Sequence, residues 1–495
     1  MKSLKVLQSF VLLAALSISS LCAGVLPKNG LASNPDFFPI AVWLQSPPNA
    51  LAYKAAGINL YIGLWNGPVQ ADLDQLTSAS MPALCDQNTF ALSHLAAYGN
   101  VLAGWTQIDE PDNAQDNGSG GYDPCISPDT IVKRYTTMKS ADSTRPVFLN
   151  LGQGVSYIGY YGRGACTGKT DMYPKYLKGC DIACFDIYPV NSTDAPITGN
   201  LWYVAKGIDS LRIWGSDKKP VWAWIECTSI NGGAKPTPAQ VKAEVWMALI
   251  HGAKGFGYFC HSFSPTFVEA AWLADATMKA AITAINQRVT SLAAVLNGPN
   301  MTDAVAAASG NASVPIDIMV KNRAGSMYLF AVAMRNDTAT ARFTCSVPGV
   351  QDSVEVLDEN RKLAVSNNAF SDRFACYGVH LYKINLPGNA NINEWHDKKQ
   401  FGRPPVFDYQ AFSRATFTVK LPASIHSPEL IIVDLSGRMV FHKALNAASG
   451  KTVENQIVFD CAGSVMPAGV YIAVVNEKSG DAGALLARTK FVVGR

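Results

Sequence analysis

The stretch Val101-Leu-Ala-Gly-Trp-Thr-Gln-Ile-Asp-Glu-Pro-Asp112 begins as an apolar run with strand character and ends in three carboxylates within four residues. Pro111 supplies no backbone donor and disfavours helix before it, so the run stops there and turns. A carboxylate placed where a buried strand meets a loop is suited to acid–base chemistry. Glu110 is therefore the candidate acid/base, and the rest of the chain has to supply its partner.

Outward from this stretch, short apolar runs alternate with helical periodicity. The runs fall at 38–45, 58–65, 81–88, 101–108, 146–152, 181–190, 220–227 and 253–261. Helix-like segments follow at 49–56, 71–78, 90–98 and 128–139. Thr237-Pro238 opens another as a cap plus a first-turn proline, and Gly252 closes it. Strict alternation calls for a parallel sheet. Eight repeats over about 250 residues fit an α/β chain closed into a (β/α)8 TIM barrel better than a doubly wound open sheet.

The barrel is expected over 34–298. Residues 302–387 change character to alternating strands with Asn-, Asp- and Gly-bearing turns, which predicts an antiparallel β-sandwich. Residues 388–408 are polar and poor in pattern, a linker. A small C-terminal β domain follows at 409–495, with a hairpin at 430–441 turning on Ser436-Gly437 and a strand at 467–475.

Composition narrows the function. Hydrophobic content of 48% and charged content of 16% describe a core-forming chain, and a net charge of +3 with no basic patch argues against nucleic acid. Residues 1–23 combine Lys2 and Lys5, an apolar stretch and small residues, which predicts a signal peptide, removed on export. No later segment is apolar enough to insert in a membrane, so a secreted or cell-surface protein is expected. Ten of the eleven cysteines lie beyond the signal, where disulfides are permitted. Cys85 with Cys125, Cys166 with Cys180 and Cys345 with Cys376 are the candidate pairs. No Cys/His cluster has zinc spacing; neither a metal nor an organic cofactor is expected.

Barrel enzymes carry their reactive groups at the C-terminal ends of the strands. Those ends offer Trp65, Gln87, Asn150, Asp186, Tyr188, Trp224 and His261 beside Asp109 and Glu110, and the seventh run ends in Glu226. Period-two alternation puts Trp222, Trp224 and Glu226 on one face. Indoles beside a carboxylate suit a sugar, whose C–H faces pack on flat rings while its hydroxyls find polar groups. Structural alternatives stand beside these roles. Glu110 could cap the next helix, Asp186 could brace the barrel mouth, His261 could be a core histidine and the tryptophans could be core residues.

A Glu-Pro at the end of the fourth strand and a second Glu at the end of the seventh resemble the large clan of retaining (β/α)8 glycoside hydrolases, over about 37–296. The resemblance implies Glu110 as acid/base and Glu226 as nucleophile. It departs at Asp109, where the clan usually has Asn to hold the sugar 2-hydroxyl; Asp can accept from a hydroxyl but cannot donate. The sandwich is similar to the β domain that follows many such barrels, through Tyr328-Leu-Phe-Ala-Val332 and 374–382. The last domain resembles the sorting domain of type-nine secretion cargo, through Asp434-Leu-Ser-Gly-Arg438 and Pro467-Ala-Gly-Val-Tyr471. That implies an encounter with secretion machinery and export across an outer membrane.

Together these imply a secreted retaining hydrolase of β-linked poly- or oligosaccharides, with carbohydrate as its partner. The alternative is a catalytically silent sugar-binding or surface-scaffold barrel.

Overall fold

Eight short parallel strands close on themselves, each lying within one of the eight predicted runs. They are β1 (Ile40–Trp43), β2 (Leu60–Ile62), β3 (Ala83–Cys85), β4 (Leu102–Thr106), β5 (Val147–Leu151), β6 (Ile182–Phe185), β7 (Val221–Glu226) and β8 (Gly255–Phe259). They pair in sequence order, and β8 returns to β1, so the sheet is a closed barrel. The computed structural model describes residues 33–386 apart from 231, 348 and 349, together with 26 and 28–30 and the backbone of seven strands between Val406 and Val493. The predicted signal at 1–23 lies outside the described residues, as does most of the predicted linker.

The barrel interior explains an otherwise odd pattern in β8. Trp222 and Trp224 of β7 point inward with Phe148, Ile182 and Leu84. Gly255 and Gly257 lie opposite them: a Cβ there would stand 2.4 and 2.2 Å from the two indoles. Alternate glycines in one strand thus make room for alternate tryptophans in its neighbour. Val221, Ala223 and Ile225 face the other way, into the layer between sheet and helices.

The helices follow their sequence signals. Pro128–Ala141 starts on Ser127, whose side chain accepts from the Asp129 N–H. Pro238–Ile250 opens on a reciprocal Thr237–Gln240 capping box, and Gly252 past its end has φ of 103°, which glycine adopts without strain. The segment at 90–98 forms only the short helix Thr89–Ser93, where Ala91 alone is buried, so little packing sustains further turns.

Two antiparallel sheets follow the barrel. One joins Val305–Ser309, Ala339–Cys345 and Ala369–Phe374; the other joins five strands in the order Ile316–Arg323, Ser326–Ala333, Val379–Asn385, Ser353–Val356, Arg361–Ala364. The five-stranded sheet packs on the helical layer, with the Trp246 and Phe330 rings 5.2 Å apart. His251 hydrogen-bonds Asp209 of the barrel and Asp317 of the sandwich, at 3.1 and 3.0 Å. Residues 389–495 form a separate compact unit of a three-stranded and a four-stranded antiparallel sheet. In it Pro428–Asp434 and Met439–Ala444 make the expected hairpin.

The cysteine pairings differ from expectation. Cys125 bonds to Cys166, tying the insertion after β4 to the loop after β5. Cys85 cannot reach a loop partner because it ends β3 facing the core. Cys180 and Cys345 are buried thiols and Cys376 is an exposed one. Among the described residues no helix is long and apolar enough to cross a membrane.

Candidate active site

A pocket of about 290 Å³ opens at the C-terminal ends of the strands, lined by Asp109, Glu110, Asn150, Asp186, Tyr188 and Trp224 among others. It adjoins a larger cleft of about 650 Å³, lined in part by Gln87, Lys133 and Arg134. Trp43 and Asp109 belong to both walls. Of the ten residues singled out from the sequence, six therefore share the pocket and a seventh, Gln87, lies in the adjoining cleft.

Glu110 is placed by an unusual backbone. Its φ is 40°, in the left-handed region that a residue with a side chain enters only at a cost. The turn is held from both sides: the Glu110 N–H donates to the Asn150 carbonyl at 3.2 Å, and the Asn113 N–H donates to the Glu110 carbonyl at 3.0 Å. Beneath it Asp112 is fully buried, accepting from the Gly152 N–H at 2.8 Å and the Tyr173 hydroxyl at 3.0 Å, with the buried Arg163 beside it. Asp112 thus fastens the end of β4 to the end of β5.

The carboxyls of Glu110 and Asp186 hydrogen-bond each other. Burial pushes Glu110 up to about 7; hydrogen bonds from Asp186 and Asn113 hold it down in part, while the charges of Asp109 and Asp112 add to the rise. Burial and the neighbouring Glu110 raise Asp186 well above the usual carboxylate range. The pair therefore keeps a proton near neutrality. Asp109 accepts from Asn150 Nδ2 at 3.0 Å, and burial pushes it up to about 6, an effect that solvent in the open cleft partly screens.

Two polar atoms of the wall residues are buried without a hydrogen-bond partner among the described residues: Asn150 Oδ1 and Trp224 Nε1. One is an acceptor and one a donor, each an unsatisfied polar group in the wall of the pocket. Trp43 meets the edge of Trp224 at 5.3 Å, and Tyr188 lies 5.2 Å from Phe259, which gives the pocket flat apolar walls.

Glu226 stands apart. The alternation of β7 puts its Cα on the inner face, but its carboxylate is captured outside the pocket. It accepts from the Val190 N–H at 2.6 Å, the Asn191 N–H at 2.8 Å and Asn191 Nδ2 at 2.7 Å, and it is fully buried. Its carboxyl also hydrogen-bonds that of Glu244, on the helix Pro238–Ile250. Period two fixes where a side chain starts; two methylenes let the glutamate follow the stronger donors of the loop after β6.

Two more expectations fall beside the pocket. His261 is buried, with Nε2 3.0 Å from the Leu44 carbonyl, and backs the Trp65 ring at 5.4 Å. Trp65 is half exposed on the barrel rim, its indole N–H donating to Glu269 Oε1 at 2.7 Å. Sequence reasoning missed Trp43, Tyr160, Phe259 and Phe263 in the wall. Trp43 ends β1 and Phe259 ends β8, so the same strand-end rule could have found both; Tyr160 comes from a long irregular loop with no periodic signal.

No family model and no curated protein matches the chain. Solved structures do. A glycoside hydrolase family 30 subfamily 8 xylanase from Clostridium acetobutylicum is 13% identical at a TM-score of 0.38, over 70% of this chain and 96% of that one. A bifunctional glucanase-xylanase from a metagenome library is 11% identical at 0.43, over 72% and 96%. An alpha-amylase from Geobacillus thermoleovorans is 9% identical at 0.43, over 71% and 98%. The chain is similar to these glycoside hydrolases in its barrel architecture, and a likeness at that level says nothing of activity.

Proposed function

We propose that the pocket hydrolyses glycosidic bonds, with Glu110 as the proton donor and a β-linked poly- or oligosaccharide as substrate. The observation that carries this reading is the Glu110–Asp186 pair, holding a proton near neutrality between aromatic walls and two unpartnered polar atoms. Protonated Glu110 gives its proton to the leaving oxygen as the bond to the anomeric carbon breaks. Water supplies the hydroxyl to that carbon, and its remaining proton returns to the pair. Asp109, anchored by Asn150, faces the positive charge that develops on the ring.

The pair cannot serve as opposed acid and nucleophile. Retaining enzymes hold their two carboxyls roughly 5–5.5 Å apart, whereas these two are in hydrogen-bonding contact. A double displacement through Glu226 would need Glu226 to leave three donors. Glu110, Asp186 and Asp109 are therefore the carboxylates of this reading. Export through residues 1–23 and sorting through 409–495 belong to it too, and the Cys125–Cys166 bond supports an oxidising destination.

The test is a hydrolysis screen of the purified protein on a panel of polysaccharides, with Glu110→Gln alongside. Loss of turnover by about 10²- to 10⁴-fold in the variant is expected; equal turnover overturns the assignment. The second reading, a sugar-binding barrel without turnover, is favoured by the withdrawal of Glu226 from the pocket. Tight binding of a polysaccharide that the wild-type protein never cleaves would establish it.

A further inference from the structure

The pocket has an aromatic exit. Phe259 and Phe263 belong to its wall, and the Phe263 ring lies 5.4 Å from that of Phe267, which lies 6.3 Å from Trp65. Phe263, Phe267 and Trp65 are 50%, 52% and 48% exposed. Large aromatic groups left this open, in a continuous strip that starts inside a pocket, call for a ligand to cover them.

The strip is held in place. Ser262 and Val268 exchange two backbone hydrogen bonds, at 3.0 and 2.8 Å, closing the loop that carries both phenylalanines. The Ser262 hydroxyl donates to the Ser229 carbonyl at 3.0 Å and ties that loop to the end of β7. Across from it, Glu269 Oε1 accepts three hydrogen bonds: from the Ser46 N–H at 2.6 Å, the Ser46 hydroxyl at 2.7 Å and the Trp65 indole at 2.7 Å. An exposed tryptophan ordinarily samples several rotamers. This one has its plane fixed by an N–H bond and by His261 behind it.

We propose that Trp65, Phe263 and Phe267 form a platform that carries a neutral saccharide chain out of the pocket, with Glu269 positioning the indole. This rests on the reading of the pocket as a sugar site. Continuity with the pocket selects the occupant: a chain threaded past Phe259 reaches Phe263 next. Flat rings stack on the C–H faces of sugars, and the Glu269 carboxylate, held within the strip by three neutral donors, keeps its negative charge and so disfavours an anionic chain over a neutral one. The protein then prefers long chains to short ones.

The test titrates Glu110→Gln protein with cello-, manno- and xylo-oligosaccharides of two to six units, by calorimetry and tryptophan fluorescence. In at least one series the affinity rises about tenfold or more with length, each stacked ring contributing part of it. Trp65→Ala with Phe267→Ala flattens that rise to about twofold and leaves the affinity for the dimer alone; Glu269→Gln gives a smaller loss. Affinity independent of length, an undiminished rise in the double variant, or no binding in any series overturns the platform. So does a dimer of the protein that the double variant dissociates, because the strip would then be a contact between copies. Length-dependent binding without wild-type turnover sinks the hydrolase and keeps the platform; turnover with length-independent binding does the reverse.

Discussion

At the scale of single residues, the proposed chemistry depends on where one proton sits. Glu110 is pushed up to about 7, chiefly by burial, so its acid form prevails below that pH and is lost above it. A mechanism that needs protonated Glu110 therefore gives a rate that falls as pH rises through about 7. Replacing Asp186 with Asn removes the second member of the pair and moves that alkaline limb. A profile of kcat/KM against pH, run for both proteins, checks it; a limb that stays in place in Asp186→Asn shows that the pair does not share the catalytic proton. The same scale marks the limit of legibility. Glu110, Asp186 and Tyr188 were readable because a charge or hydroxyl at the end of an apolar strand must have a reason to be there. Glu226 met the same criterion, and the reason turned out to be Asn191 and Glu244.

At the scale of elements, the carboxyls of Glu226 and Glu244 join three pieces: β7, the helix Pro238–Ile250 and the loop after β6. Both acids are fully buried and raised above their ordinary range, with burial the largest cause. The folded protein thus holds a proton that the unfolded chain has already released, and stability declines as pH climbs above the ordinary carboxylate value of 4.5. Glu244→Gln keeps a donor for Glu226 without a proton to lose. Its melting temperature at pH 8 is expected to come closer to that at pH 5 than in the wild type. Glu226→Gln instead turns an amide N–H toward backbone donors and costs about 1–3 kcal/mol. Calorimetric unfolding of both variants decides it: a Glu226→Gln protein of full stability that has lost turnover restores Glu226 to the chemistry. Glu244 was invisible in the sequence because helical periodicity shows which face is buried and nothing about what lies across from it. The eight strands were legible for the opposite reason, since burial on both faces writes itself as unbroken apolar runs.

At the scale of the whole molecule, barrel and sandwich are joined by aromatic packing and by ionic contacts that include Arg288 with Asp358 and His251 with Asp317. Burial alone would lower the pKa of His251, but Asp209 and Asp317 on either side push it up to about 9. A histidine raised in the folded state contributes stability that is fully present below its ordinary value of 6.5 and is lost as pH rises through about 9. In His251→Gln that part of the pH dependence of melting should vanish, and separate unfolding of barrel and sandwich should become detectable by calorimetry. An unchanged slope would mean that the contact adds nothing to their union. The sequence could announce two architectures here, from the change of period after residue 298, but no pattern links His251 to Asp317 across 66 residues.

The bond between Cys125 and Cys166 has one more consequence, and it is topological. The 41-residue separation makes a covalent ring that contains the helix Pro128–Ala141 and all of β5. One stave of the barrel is therefore a closed loop. A protease that cuts the chain once inside the ring leaves two fragments that still travel together. β5 also carries Asn150, and the segment that closes the ring carries Tyr160. Once the ring has formed, this wall of the pocket can be nicked without being lost.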